Sequence, residues 1–176
     1  MDERIEIRLS GSGGQGLILA GIILAEAAIL DGKNAVQSQS YGPEARGGAS
    51  RAEVIISNVS IDYPKVSKPD ILLALTEEAM IKYKNDLRGD GLLIIDSGME
   101  KPEDSYRILS VPMLQTAKDK IGKIIVANIV ALGTLTAATE IVSKASIEKA
   151  VLDRVPKGTE ELNKKALYEG LKLGES

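Results

Sequence analysis

The alternation of apolar and polar residues along the chain predicts where its strands lie. "RIEIRLS" (4–10) alternates as expected of a strand with one buried face, and "RAEVIIS" (51–57) predicts a further strand. "PDILLAL" (69–75) and "GLLIIDS" (91–97) are continuous apolar runs, which are typical of strands buried on both faces of a parallel sheet. Two short strands are also predicted at 34–39 and 106–112, and a hairpin return is predicted at 58–64.

Longer apolar and amphipathic stretches predict the helices. "LILAGIILAEAAIL" (17–30) is apolar on nearly every face, so we expect a helix buried in the core that ends where Gly32 can adopt a left-handed conformation. This run has about 14 residues, fewer than the roughly 20 that a bilayer requires. Thr76 predicts the N-cap of a crossover helix. Further helices are predicted at 111–122 and 126–142 and after the N-cap residues Ser146 and Thr159.

The order of these elements predicts the fold class. The length of 176 residues and the absence of a linker indicate a single domain over 1–176. Strands that alternate with helices predict an α/β fold, a three-layer α/β/α sandwich with a mostly parallel, Rossmann-like sheet and a helical C-terminal segment. We expect the apolar helices that begin near Leu17 and Val126 to cover opposite faces of the sheet.

The composition narrows the chemistry that this chain can perform. It contains no Cys and no His, so it offers no thiolate for an iron–sulfur cluster, no imidazole base and no metal ligand of either type. We therefore predict no catalytic residue and no metal site in this chain. The net charge of -3, without a basic run, predicts no nucleic-acid partner. The charged start "MDERIEIRLS" has no apolar leader, which favours a cytoplasmic protein without membrane contact.

A glycine loop follows the first predicted strand. Three glycines form the pattern G-x-G-x-x-G, which allows a tight turn and a close approach of the backbone to an anion at the helix start. A dinucleotide site also requires an acidic residue at the end of the second strand, where this chain has Gln37, Ser38 and Gln39. We favour a packing role for the glycines over a dinucleotide site, and for Gln15 both helix capping and an interface role remain open. The loop residues are Gly11, Gly13, Gly14, Gln15 and Gly16.

The segment "SYGPEARGG" (40–48) is the most unusual stretch of the sequence. Its glycines let the backbone lie against another molecule, Tyr41 is an amphipathic anchor typical of interfaces, and Arg46 offers a planar fork for a carboxylate or phosphate. The alternative is a rigid surface loop in which Glu44 and Arg46 pair with each other. We expect a contact with a partner molecule, made by Ser40, Tyr41, Gly42, Pro43, Glu44, Arg46, Gly47 and Gly48.

Five segments together resemble a known family. "GSGGQG", "SYGPEARGG", "PDILLAL", "IIDS" and "VANIVALG" stand in the order and spacing of the gamma subunit, or gamma domain, of the 2-oxoacid:ferredoxin oxidoreductases, and the match covers nearly the whole chain. Within the family, "PEARGG" followed by "IDYP" is most similar to 2-oxoglutarate:ferredoxin oxidoreductase, also called 2-oxoglutarate synthase.

The resemblance implies a subunit of a multi-chain enzyme. Such an enzyme converts a 2-oxoacid and CoA to acyl-CoA and CO₂ and passes two electrons to ferredoxin. The resemblance places thiamine diphosphate, with its Mg ion, between the alpha and beta subunits, and the iron–sulfur clusters in the beta subunit or a delta subunit. It implies that this chain alone binds no cofactor and is inactive, that it packs on the alpha and beta subunits, and that 40–48 contacts these partners or the co-substrate CoA.

Two other kinds of function remain open from the residues. One is a free-standing Rossmann-like protein that binds NAD or a flavin on the glycine loop, and the missing ribose-binding acid argues against it. The other is an interaction module that belongs to no enzyme. The identity of the 2-oxoacid, which could be 2-oxoglutarate, pyruvate, or a branched-chain or aryl acid, depends on groups in the other chains.

Overall fold

The computed structural model describes residues 3–39, 49–103 and 106–176. Six strands form one sheet in the spatial order β2-β3-β1-β4-β5-β6. The strands are β1 (Arg4–Gly11), β2 (Asn34–Gln39), β3 (Ser50–Ser57), β4 (Ile71–Ala74), β5 (Leu92–Asp96) and β6 (Arg107–Val111).

The sheet is mixed, with a parallel part and an antiparallel part. β1, β4, β5 and β6 pair in parallel, so three of the five pairings are parallel. β3 lies between β1 and β2 and is antiparallel to both. The fold class predicted from the sequence is confirmed. The antiparallel strand of this sheet is β3, which lies beside β1 where a dinucleotide-binding fold has a parallel strand.

The predicted hairpin return at 58–64 is wrong. No residue of this stretch belongs to a strand. Both edges of β3 are already paired, with β1 on one side and β2 on the other, so a returning strand has no free edge to join. The stretch instead lies against β1, where the Arg4 Nη2 donates to the Tyr63 carbonyl oxygen at 2.6 Å.

Six α-helices accompany the sheet in the described residues. They are α1 (Leu17–Leu30), α2 (Glu77–Tyr83), α3 (Met113–Thr116), α4 (Ala127–Thr139), α5 (Lys144–Arg154) and α6 (Glu160–Glu175). A π turn at Ala117–Ile121 extends α3, and a 3₁₀ turn at Ile124–Val126 precedes α4. No helix in the described ranges is long and apolar enough to cross a membrane.

Two of the three predicted N-caps are confirmed. Thr76 caps α2, where its hydroxyl accepts from the Ala79 N–H at 3.2 Å, and Thr159 is the N-cap residue of α6. The predicted N-cap at Ser146 is wrong, because Ser143 takes that position and its hydroxyl accepts from the Ser146 N–H. Ser143 lies three residues before Ser146, so the helix begins one turn earlier than predicted.

The prediction that α1 and α4 cover opposite faces of the sheet is wrong. Apolar residues of α1, α4, α5 and α6 form one core on the face of Ile7 and Leu9, whereas α2 alone forms the core on the other face, with Leu72 and Leu93. The chain moves from β1 towards β2 on one side and from β4 towards β5 on the other. Right-handed crossovers therefore place α1 and α2 on opposite faces, while α4, which follows the last strand, is free to pack beside α1.

Helices α4 and α6 pack unusually close together through glycines. A Cβ added at Gly170 would lie 2.0 Å from the Val130 carbonyl oxygen, and one at Gly174 would lie 2.3 Å from the Thr134 carbonyl oxygen. The contact points advance together along both helices, so the two helices run in the same direction. They consequently begin at the same end of the molecule, which is the end where β1 and β4 also finish.

Candidate functional site

The glycine loop lies at the switch point of the parallel sheet. β1 ends at Gly11, and its parallel neighbour β4 ends at Ala74. The connections that leave these two strands go to opposite sides, so a crevice opens between them at the carboxyl ends of the strands. Open α/β sheets bind their ligands in crevices of this kind. The glycine loop named from the sequence therefore lies at the carboxyl edge of the sheet, beside this crevice.

The Gln15 side chain stabilises the glycine loop by a hydrogen bond within it. Its side-chain oxygen accepts from the Ser12 N–H at 2.7 Å, so the amide closes the turn before α1 starts. A Cβ at Gly11 would lie 2.2 Å from this same oxygen, so Gly11 makes room for the Gln15 side chain. Gln15 thus hydrogen-bonds inside the loop and does not cap α1, whose N-cap residue is Gly16.

Gly16 joins the loop to α4. It has a φ of 73°, in the left-handed region, and a Cβ at this position would lie 2.5 Å from the Asn128 Nδ2. The same Asn128 amide donates to the Gly16 carbonyl oxygen at 3.0 Å. The packing contact at Gly16 is made with α4, and no local sequence pattern indicates this contact, because 112 residues separate the partners.

Gly13 and Gly14 face open space. A Cβ at either position would meet nothing within 4 Å, although Gly14 needs its glycine for a φ of 86°. Gly13 has neither a left-handed φ nor a neighbour that would exclude a side chain. Since nothing in the described structure requires a glycine there, Gly13 is suited to a close approach by another molecule.

The topology argues against a dinucleotide site at this loop. In dinucleotide-binding folds the second strand lies beside the first and presents an acid to the ribose. Here β3 is inserted between β1 and β2, which moves the end of β2 away by a further strand spacing of about 4.8 Å. The residues at that end are amides, and the Gln37 Nε2 donates to the Gln39 Oε1 at 2.8 Å.

A cavity of about 310 Å³ opens beside the glycine loop. The starts of three helices border it, namely α1, α4 and α6, and none of their N-cap residues makes a side-chain capping hydrogen bond. Its walls are mostly apolar. The lining residues are Gly14, Gly16, Leu19, Lys123, Ile125, Val126, Asn128, Ile129, Val155, Pro156, Thr159, Leu162 and Asn163.

Lys123 and Ile125 lie at the rim of this cavity, and Ile124 stands between them in the chain. Ile125 is 71% exposed and Ile124 is 54% exposed, which is unusual for consecutive large apolar side chains. Lys123 precedes them and is the one ionisable residue among the described residues that line the cavity. Sequence reasoning missed this rim and Asn128, although "VANIVALG" contains the asparagine.

The nine residues of "SYGPEARGG" lie outside the described residues, but their attachment points are described. Gln39 ends β2 opposite Ala52, and Ser50 begins β3 opposite Gly11. Both attachment points therefore lie at the edge of the sheet that carries the glycine loop. In the part of the chain that the structure describes, no group of three or more carboxylates could hold a metal ion.

Comparisons with known proteins give consistent matches along the chain. The family model described as pyruvate ferredoxin/flavodoxin oxidoreductase matches residues 6–173. The 2-oxoglutarate synthase subunit KorC of Methanocaldococcus jannaschii is 54% identical, and the alignment covers 97% of this chain and 94% of that protein.

Two further matches concern structure and chain length. The crystal structure of a keto/oxoacid ferredoxin oxidoreductase gamma subunit from Geobacter sulfurreducens superimposes with a TM-score of 0.91 at 54% identity, covering 98% of this chain and 97% of that chain. The ketoisovalerate oxidoreductase subunit VorA of Methanothermobacter thermautotrophicus is 34% identical over 76% of this chain, but the match occupies only 28% of that longer protein.

Proposed function

This chain belongs to the pyruvate ferredoxin/flavodoxin oxidoreductase family, as a gamma-type subunit of a 2-oxoacid:ferredoxin oxidoreductase, and we propose that the 2-oxoacid is 2-oxoglutarate. The observation that carries this proposal is the 54% identity to a 2-oxoglutarate synthase subunit over 97% of the chain. The complex would convert 2-oxoglutarate and CoA to succinyl-CoA and CO₂, and the two electrons released would reduce ferredoxin.

The composition of this chain supports the proposal that its partner subunits hold the cofactors of the enzyme. Iron–sulfur clusters require cysteine thiolates, and this chain has no Cys. We therefore assign the clusters to the beta subunit or a delta subunit, through which ferredoxin meets the complex. The family resemblance implies that thiamine diphosphate and Mg bind between the alpha and beta subunits. The role of this chain is to bind and position the partner subunits or CoA, and it supplies no group that reacts with the 2-oxoacid.

The carboxyl edge of the sheet is the part of this chain proposed to meet the partner subunits or CoA. The open Gly13 and the attachment points of 40–48 lie together at this edge. Backbone N–H groups at the start of α1 and the Arg46 fork are both suited to an anion such as a CoA phosphate or a partner carboxylate.

The test of this function is reconstitution of the complex. The chain is co-expressed with its partner subunits, and reduction of methyl viologen is followed with 2-oxoglutarate, pyruvate or 2-oxoisovalerate in the presence of CoA. We expect turnover with 2-oxoglutarate, little with the other two acids, and none from this chain alone. Equal rates with all three acids would contradict the assignment of 2-oxoglutarate, and activity of the isolated chain would contradict the division of labour.

A further inference from the structure

We propose that the cavity beside the glycine loop is a docking site for a partner subunit, which inserts an apolar side chain next to an acidic group. This inference rests on the proposed function, because it requires that the chain works in a complex. It goes beyond that function by assigning one surface and the chemistry of the group that occupies it. The docking surface is defined by Lys123, Ile124, Ile125 and the cavity behind them.

The first argument is the exposure of apolar side chains at the rim. Ile124 and Ile125 belong to the 3₁₀ turn before α4, and both are more than half exposed, while Val126 directly after them is 4% exposed. Scattered single apolar residues on a surface need no explanation, but two in sequence form a patch, and Ile125 of this pair lines the apolar cavity. Covering this patch and filling the cavity would remove both from water.

The second argument is the shape and chemistry of the cavity. Its volume of about 310 Å³ lies at the lower end of the range for small-molecule pockets, and it exceeds the size of one large apolar side chain. The walls come from α1, α4, the end of α5 and α6, which are held in one core. A cavity with rigid walls of this kind suits an anchor residue that enters a preformed pocket, as interface hot spots do.

The third argument is the charge at the rim. Lys123 is exposed, and the starts of α1, α4 and α6 all border the cavity, so the partial positive charge of three helix ends adds to that of the lysine. The cavity walls carry no carboxylate in the described residues. The complementary segment therefore pairs an apolar anchor with an Asp, a Glu or a chain terminus.

The fourth argument is that a relative carries the region similar to this chain within a longer protein. In VorA the region similar to this chain makes up 28% of the protein, so the same module is covalently joined to other parts of an oxidoreductase subunit. A module of this type must then contact neighbouring parts of its enzyme. This favours a partner subunit as the occupant over a second copy of this chain.

The main experiment compares assembly of two charge variants in the co-expressed complex. Ile125→Glu places a carboxylate at the centre of the docking surface, and Ile81→Glu is the matched control, because Ile81 is 58% exposed and lies on α2, on the opposite face of the sheet. Both side chains are exposed, so both variants should keep the thermal unfolding midpoint of the unmodified chain. We expect Ile125→Glu to weaken association at least tenfold and Ile81→Glu to leave it unchanged.

A second pair of variants tests the acidic neighbour. Lys123→Glu reverses the charge at the rim, and Lys118→Glu reverses an exposed charge a short distance away on the π turn that extends α3. We expect only Lys123→Glu to weaken association, and the loss should diminish at high salt. Equal effects of the two lysine variants would contradict the assignment of an acidic group to the partner.

Photo-crosslinking identifies the occupant directly. The photoreactive residue p-benzoylphenylalanine replaces Ile125 in the assembled complex, and mass spectrometry of the adduct should show a peptide of a partner subunit with an apolar residue beside an acid. An adduct with another copy of this chain would overturn the proposal. So would a raised Michaelis constant for CoA in Ile125→Glu with normal assembly, since the cavity would then bind a small molecule.

The outcomes also separate this inference from the proposed function. If the unmodified chain assembles and the complex turns over 2-oxoglutarate, but Ile125→Glu assembles equally well, the docking surface is wrong and the function stands. If the unmodified chain does not associate with the partner subunits at all, both proposals fall together.

Discussion

Asn128 holds the start of α4 against the start of α1 through a single backbone group, the Gly16 carbonyl oxygen. Its Nδ2 donates to that oxygen at 3.0 Å, and its Oδ1 accepts from the Ile129 N–H at 2.9 Å. The amide occupies the space where a Gly16 side chain would be, because a Cβ there would lie 2.5 Å from Nδ2. This contact joins the glycine loop to the cavity, which both Gly16 and Asn128 line.

Alanine substitutions at three glycines should separate the structural from the functional part of the loop. Gly16→Ala combines a left-handed φ with a clash against Asn128 and should cost about 3 kcal/mol, whereas Gly14→Ala meets only the φ strain and should cost about 1 kcal/mol. Gly13→Ala should leave the free energy of unfolding within about 0.5 kcal/mol. Urea denaturation of the three variants measures this series.

The same series tests whether another molecule approaches the loop. If a partner subunit or CoA lies close to the open face of Gly13, Gly13→Ala should impair assembly or CoA kinetics in the complex although the chain is as stable as before. A Gly13→Ala complex with normal assembly and kinetics would show that nothing approaches Gly13. A Gly16→Ala chain as stable as the unmodified one would contradict the contact with Asn128.

Gly170→Ala should destabilise the chain, against the trend for glycine in helices. Alanine in an open helical position is favoured over glycine by roughly 0.5–1 kcal/mol. At Gly170 the added methyl would lie 2.0 Å from the Val130 backbone oxygen, and a backbone atom cannot move aside as a side chain can. We expect the free energy of unfolding to fall by about 3 kcal/mol, because the added methyl forces α4 and α6 apart. Chemical denaturation measures the change, and its sign alone decides whether Gly170 is a close packing contact or an open helical position.

The strands could be predicted from the sequence, but the long-range polar contacts could not. In the runs at 69–75 and 91–97, strands β4 and β5 are buried on both faces apart from the half-buried Leu92, and a continuous apolar sequence is typical of that environment. Arg8, in contrast, occupies a polar position of an alternating strand, which suggested an exposed side chain. It is 2% exposed, and ion pairs with Glu53 at 2.8 Å and Asp86 at 2.6 Å compensate its burial. Partners this distant in sequence leave no local pattern.

Only the part of the candidate site that forms a local sequence motif could be predicted. The glycine loop is a local motif, so the sequence placed it at the end of β1 and at the start of α1. The cavity is formed by the starts of three helices that are far apart in the sequence, so no residue spacing indicates it. The sequence did not indicate its rim either, because Ile125 lies in an apolar stretch where the pattern does not distinguish exposed from buried isoleucines.

Asp31 should stabilise the chain in a pH-dependent manner. Burial opposes its ionisation, but hydrogen bonds from Ser146 and Ser143 and the charge of Lys33 outweigh that effect and lower the pKa of Asp31. Because the folded pKa is lower than the unfolded one, this contribution is present above the unfolded pKa of about 4 and is lost as the pH falls through the folded pKa. The carboxylate also faces the start of α5, where negative charge is favourable.

Asp31→Asn should therefore reduce stability at pH 7 by about 1 kcal/mol, and the difference from the unmodified chain should shrink below pH 4. The matched control is Asp153→Asn, whose carboxylate forms an exposed i,i+4 pair with Lys149 and should contribute at most about 0.5 kcal/mol. Urea denaturation at pH 7 and pH 3 measures both differences. A loss for Asp31→Asn that is the same at the two pH values would show that its charge does not contribute.

Tyr41→Ala and Arg46→Ala should distinguish the possible partners of segment 40–48. Both attachment points of this segment lie at the edge of the sheet that carries the glycine loop, so the segment can reach a molecule that meets that edge. Loss of an aromatic anchor at an interface typically costs about 2 kcal/mol or more, so Tyr41→Ala should weaken assembly of the complex. Size-exclusion chromatography of the co-expressed subunits measures this loss.

Arg46→Ala decides between CoA and a partner subunit, because a guanidinium fork can bind either a phosphate or a carboxylate. If Arg46 binds a CoA phosphate, the complex should assemble normally while its Michaelis constant for CoA rises and that for the 2-oxoacid stays constant. If Arg46 pairs with a partner carboxylate, assembly should weaken in low salt and the Michaelis constants of the remaining complex should be unchanged. Normal assembly and normal CoA kinetics in both variants would leave 40–48 as a rigid surface loop in which Glu44 and Arg46 pair with each other. The function of this edge of the sheet would then rest on the glycine loop and the cavity beside it.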